Sequence, residues 1–143
     1  MQKITLPIEI VELEEGNFHV MIKAQFSDSM PGKWVIDTGA SRSVFDNSLE
    51  KYFKTIENDP RDEVLSAGIG IGTLESRTGI IRNIQFGDLK IKKLRVALID
   101  LSHINDLYAK YNSAKICGLI GSDFLNKYKA VIDYANKKLI LEK

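Results

Sequence analysis

Sulfur and histidine chemistry are nearly absent from this chain. Its 143 residues include one cysteine, Cys117, and two histidines, His19 and His103. A disulfide within the chain is therefore excluded, and no metal cluster can be assembled from thiolates. Two scattered histidines make a poor metal site. Neither stands in a pattern that would pair it with Cys117 as the base of a thiol nucleophile. Cys117 lies between Ile116 and Gly118 in an apolar run and is expected to be a small buried core residue. His19 falls on the polar side of its strand and is expected to face solvent.

An excess of one charge is also missing. Twenty Lys+Arg against 19 Asp+Glu leave a net +1, which gives no reason to expect nucleic acid or an anionic membrane as partner. The cluster "LKIKKLR" (89–95) reads as a solvated strand face. No apolar run reaches the ~18 residues of a membrane-spanning helix. The opening "MQKITLPIEIVELEEG" alternates and carries acids, unlike a signal peptide. The lone thiol favours the cytoplasm over a mature periplasmic or secreted form.

What is present is the material of one small domain spanning 1–143. Apolar residues make up 44% and charged residues 27%, ordinary values for a globular core with a solvated surface. Strand patterns dominate. Residues 4–13, then 18–26 with Phe18, Val20, Ile22 and Ala24 on one face, form an expected hairpin about Gly16-Asn17. Residues 1–13 add an N-terminal strand of open role. "KWVID" (33–37) is a short apolar strand of the kind buried on both faces. Two strands are expected within 63–86, another over 91–99, and a closing hairpin over 130–142. Helical signals fall on 46–54, where Leu49 and Phe53 are four apart, on "LSHINDLYAKYN" (101–112), and on 122–128 with Ser122 as cap. The expectation is an all-β domain, a closed barrel or folded sheet with one or two short helices.

The chemistry concentrates at "VIDTGAS" (35–41). An ionised aspartate is rarely buried without partners, and the residues after Asp37 supply them. Thr38 offers a hydroxyl, Gly39 lets the backbone turn and aim amides at the carboxylate, and Ala40 leaves room at the tip. A nucleotide loop does not explain the later "GIGIG" (68–72), which lacks the lysine and Ser/Thr of a phosphate loop. Asp133, in "VIDY", echoes "VID" at 35–37 but is followed by Tyr134 and Ala135, and is expected to be structural.

Three segments, "VIDTGAS", "SAGIGIGT" (66–73) and "GLIGSDFL" (118–125), give the chain a pattern that resembles the retropepsin-like aspartic proteases. These are the single-domain relatives of retroviral protease and of each half of pepsin. The closing "AVIDYANKKLIL" (130–141) is similar to the terminal hairpin of bacterial members. The resemblance implies an aspartic endopeptidase with no metal or organic cofactor. Asp37 would be catalytic, with Thr38, Gly39 and Ala40 supporting its loop. Gly68, Ile69, Gly70, Ile71 and Gly72 would form a flap over an extended polypeptide substrate, and Leu119 and Ile120 would wall the cleft. Only one Asp-Thr-Gly is present, because "GSDFL" (121–125) has the wrong order. The resemblance therefore implies a homodimer with two Asp37 side chains at its two-fold axis. A catalytically silent module that dimerises or binds peptides is the alternative, since fold does not guarantee chemistry. Ala40 stands where many pepsin-like chains carry a hydroxyl residue, which implies activity at weakly acidic to near-neutral pH.

Overall fold

The computed structural model describes residues 2–57, 77–111 and 114–143. Six strands close into a barrel: β3 (Asn17–Gln25), β4 (Pro31–Ile36), β9 (Gly118–Ile120), β5 (Val44–Asp46), β8 (Leu89–Ile99) and β7 (Arg77–Phe86), in that order around the ring. The ring closes from β7 back to β3 through one residue pair, Gln25 with Gln85. β2 (Glu9–Glu14) flanks β3 and β6 (Phe53–Ile56) flanks β7. β1 (Lys3–Pro7), β11 (Lys138–Glu142) and β10 (Val131–Asp133) form a separate three-stranded sheet. Two helices complete the described chain, α1 (Ser102–Lys110) and α2 (Ser122–Lys127).

The all-β expectation holds, and so does the doubly buried strand at 33–37. Trp34 and Ile36 are buried in the main core on one face of the strand, and Val35 is buried in a second cluster on the other. Trp34 stacks on Phe45 with centroids 5.4 Å apart and tilts against Phe86 at 5.7 Å. Aromatic pairs at such separations add to the area they bury. The three-stranded sheet presents Ile4, Leu6, Leu139 and Leu141 to this same core at alternate positions.

Three local expectations are corrected. Residues 4–13 form two strands in two sheets, not one. Pro7 ends β1 because it has no N–H to continue a ladder, and the Ile8 amide instead donates to the Lys137 carbonyl. Residues 46–54 form no α-helix. Asp46 belongs to β5, a single 3-10 turn spans Glu50–Tyr52, and Phe53–Ile56 pairs with β7. Leu49 and Phe53 still pack on the core, so the spacing reports burial but not the backbone that achieves it. The aromatic and β-branched content of "FKTI" suits a ladder better than a helix. Ser122 is the first residue of α2 and not its cap, a position held by Gly121 without any side-chain bond.

Candidate active site

β4 and β9 run parallel, with Val35 opposite Leu119 and Ile36 opposite Ile120. The Asp37 amide extends this pairing by donating to the Ile120 carbonyl at 2.9 Å. The chain then turns. The Ala40 amide donates to the Asp37 carbonyl at 3.1 Å, and the Gly39 amide donates to Asp37 Oδ1 at 3.1 Å. The carboxylate is half-buried, and Thr38 and Gly39 are exposed at the tip. One carboxylate oxygen is thus held by the turn, while Oδ2 has no protein donor among the described residues.

The turn is fastened to the start of α2. The Ser122 amide donates to the Ala40 carbonyl at 2.7 Å, and the Gly121 amide donates to Ser43 Oγ at 3.0 Å. Ser43, fully buried, donates from its amide and its hydroxyl to the Asp123 carboxylate at 2.8–3.0 Å. Asp123, set aside in the sequence as an aspartate in the wrong order, is therefore the clamp of the Asp37 loop. Its own carboxylate also accepts from the Phe124 amide at 2.8 Å. The fit is close: a Cβ on Gly121 would lie 2.7 Å from the Arg42 carbonyl and 2.8 Å from that of Ala40. Arg42 reaches across to Thr78 Oγ1 at 3.0 Å.

Gly39 serves differently from what its place in the motif suggests. Its backbone is not left-handed, and among the described residues a Cβ there would meet only Asp37 Oδ1, at 3.4 Å, an ordinary contact. The turn does not need a glycine to form. What the missing side chain leaves open is the approach to the carboxylate.

Asp37 sits in a cleft of about 380 Å³. Val35 and Leu119 form one wall, Phe18 and His19 of β3 another, Leu107 and Tyr108 of α1 a third, and Tyr134 closes the rim. Leu119 lines the same hollow as Asp37. Ile120 is fully buried and belongs to the main core, not the cleft surface. Gly68, Ile69, Gly70, Ile71 and Gly72 lie outside the described residues. Another hollow of about 390 Å³, between Phe26 and Cys117, has no carboxylate on its walls, so chemistry and not size singles out the Asp37 cleft.

His19 is not solvent-exposed as its polar alternation suggests. It is half-buried and 3.0 Å from the Tyr108 hydroxyl through Nδ1, with the rings edge to face. Burial, and then the charge of Asp37, raise the Tyr108 phenol above its ordinary range. Helix α1 is held in place by Asn105, which donates to the Ile116 carbonyl and accepts from its amide. Tyr111 donates to Glu14 at 2.7 Å. No periodicity signal marks a β3 histidine and an α1 tyrosine as neighbours. Among the described residues no group of His, Cys, Asp or Glu could hold a metal ion, and no helix is long and apolar enough to cross a membrane.

The chain matches the family model described as aspartyl protease over residues 22–124. That span contains the Asp37 turn, β9 and the whole of the Ser43–Asp123 clamp. No curated protein matches the sequence. Among solved structures, the chain is similar to a retropepsin-like aspartic protease from Rickettsia conorii. That match has 16% identity and a TM-score of 0.50, covering 98% of this chain and 90% of the other. It is also similar to the retroviral protease-like domain of Ddi1 from Leishmania major. There the identity is 14% and the TM-score 0.51, covering 86% and 87%. At these identities the likeness establishes a retropepsin-like fold.

Proposed function

The chain belongs to the aspartyl protease family, and from that premise we propose that it is an aspartic endopeptidase working as a homodimer. Each subunit contributes Asp37. Two carboxylates about 3 Å apart cannot both ionise, so the pair shares one proton. The ionised member takes a proton from the attacking water while the protonated member gives one to the peptide carbonyl oxygen. The carbonyl carbon becomes tetrahedral, and proton transfer to the leaving nitrogen then lets the C–N bond break.

The observation that carries this reading is the half-used carboxylate. The turn holds Asp37 Oδ1 through Gly39, and no described residue occupies Oδ2. A carboxylate serving only structure would be expected to have both oxygens engaged. Thr38 and Gly39 are exposed in the single chain, as residues facing a second copy across a two-fold axis must be. Exposed Phe18, Leu107 and Tyr134 beside the carboxylate offer apolar surface for substrate or partner. Ala40 leaves the pair without the hydroxyl that many pepsin-like chains carry directly after the motif's glycine, so cleavage is expected at weakly acidic to near-neutral pH. A rate maximum below about pH 3, as for a pair as acidic as pepsin's, would reject that part.

The test is sedimentation equilibrium together with digestion of unfolded protein and peptide libraries, with and without Asp37→Asn. Dimerisation and Asp37-dependent cleavage are expected. Cleavage unaffected by the substitution removes Asp37 from the chemistry. Peptide binding without cleavage assigns the fold to recognition instead.

A further inference from the structure

His19 and Tyr108 bring a polar pair into a wall that is otherwise apolar. Around them on β3 and α1 stand Phe18, Val20, Ile104 and Leu107. Tyr108 is 2% exposed, so its hydroxyl proton needs a protein acceptor, and His19 Nδ1 at 3.0 Å is the one recorded for it. A phenol that donates to Nδ1 fixes the neutral ring with its own proton on Nε2. Nε2 has no hydrogen-bond partner among the described residues, and the ring lines the cleft that holds Asp37. The result is an oriented N–H donor, preset by a buried phenol, beside the reacting carboxylate.

We propose that His19 is a specificity-determining residue of this cleft, selecting substrate side chains that bring a neutral hydrogen-bond acceptor to its Nε2–H. Tyr108 is its positioning residue. A wall of apolar side chains alone would rank substrates by size. One fixed donor also penalises an apolar side chain of equal size, because binding it strips water from the N–H and returns nothing. The acceptor is neutral because a carboxylate in the same cleft would meet the charge of Asp37. Glutamine is therefore preferred over methionine and over glutamate, and tyrosine over phenylalanine. This rests on the cleft being the peptide site proposed above.

Binding is measured on the full chain carrying Asp37→Asn, so that peptides stay intact, using hexapeptide libraries at pH 7.5. Members are matched as Gln/Met and Tyr/Phe pairs at each of the two central positions, and the Gln/Glu preference is read from cleavage by the wild-type chain, where Asp37 keeps its charge. At one central position the first member of each pair is expected to bind about fivefold to tenfold tighter, the worth of one net hydrogen bond. Adding His19→Phe should bring the Gln/Met and Tyr/Phe ratios to about one. His19→Gln keeps both an acceptor for Tyr108 and an N–H donor, so it should preserve them. Tyr108→Phe should lower them partway, and provides a second reading if His19→Phe does not fold. A merely structural His19–Tyr108 contact would weaken all peptides alike and leave the ratios untouched. Ratios unchanged by His19→Phe, or no binding of any peptide, overturn the proposal. Ratios that behave as expected in a wild-type chain that cleaves nothing would sink the proposed catalysis and leave this inference standing. Asp37-dependent cleavage with His19-independent ratios would do the reverse.

Discussion

The same tripeptide, Val-Ile-Asp, ends two strands of this chain, at 35–37 and at 131–133. Both aspartates are half-buried, so exposure does not distinguish them. Their surroundings do. Asp133 lies on β10, an edge of the three-stranded sheet. Both its oxygens are taken by Asn136, Oδ1 by the amide at 2.9 Å and Oδ2 by the side chain at 2.8 Å. The Asn136 side chain and then its amide hold this carboxyl below its ordinary range. Asp37 ends an interior strand, spends one oxygen on its turn, and has that turn clamped from behind by Gly121, Ser43 and Asp123. A strand-end carboxylate becomes available for chemistry when other residues bear the work of holding its loop.

The largest expected difference is catalytic. Asp37→Asn should lower peptide cleavage by about 100-fold or more, given the usual worth of a positioned acid or base, with little change in melting temperature. Asp133→Asn should leave cleavage unchanged. Equal losses in the two variants would erase the distinction. Next comes the clamp. Gly121→Ala forces a methyl against the Arg42 and Ala40 backbone and should destabilise by about 3 kcal/mol, as overpacking does. Urea midpoints measure it, and a neutral result would mean that the two segments slide apart freely. Ser43→Ala strips the buried Gly121 amide of its acceptor and Asp123 of a donor, a loss of about 1–3 kcal/mol. Cleavage should fall further than stability explains if the clamp sets the position of Asp37. A parallel fall would make it a fold element only.

The smallest effect appears at alkaline pH. Cys117 precedes β9, with its amide and its thiol both directed at the Lys33 carbonyl. Burial pushes this thiol well above its ordinary value of 9.0. The folded chain therefore keeps a proton that the unfolded chain releases, so the contribution is whole below about pH 9 and is lost as pH rises. Stability should fall by about 1.4 kcal/mol per pH unit there. Cys117→Ala should reduce that slope by the same amount in urea titrations at pH 8.5–10.5. Identical slopes would place the thiol in solvent.

How much of this was legible in advance depended on the range of the interaction. Trp34, Val35 and Ile36 announce a doubly buried strand because both of its faces are written in adjacent letters. Cys117 reads as core for the same reason. Leu49 and Phe53 show the opposite case: the four-residue spacing records two buried side chains, and only the availability of β7 decides that strand and not helix buries them. The Asp37 turn was readable as a motif. Its clamp was not, since nothing in "GSDFL" says that Asp123 will meet Ser43, nor in "NFHV" that His19 will meet Tyr108. Those partners are fixed by barrel closure, which no local window contains.

The clamp also has a consequence in time. Ser43 and Asp123 are 80 residues apart in the chain, and contacts of such separation form late because the intervening loop must first be closed. A ribosome delivers Asp37 well before it delivers β9, Gly121 and Asp123. Until then the aspartate has neither its strand partner nor its clamp. The nascent chain carries the aspartate before it carries the residues that hold it in place.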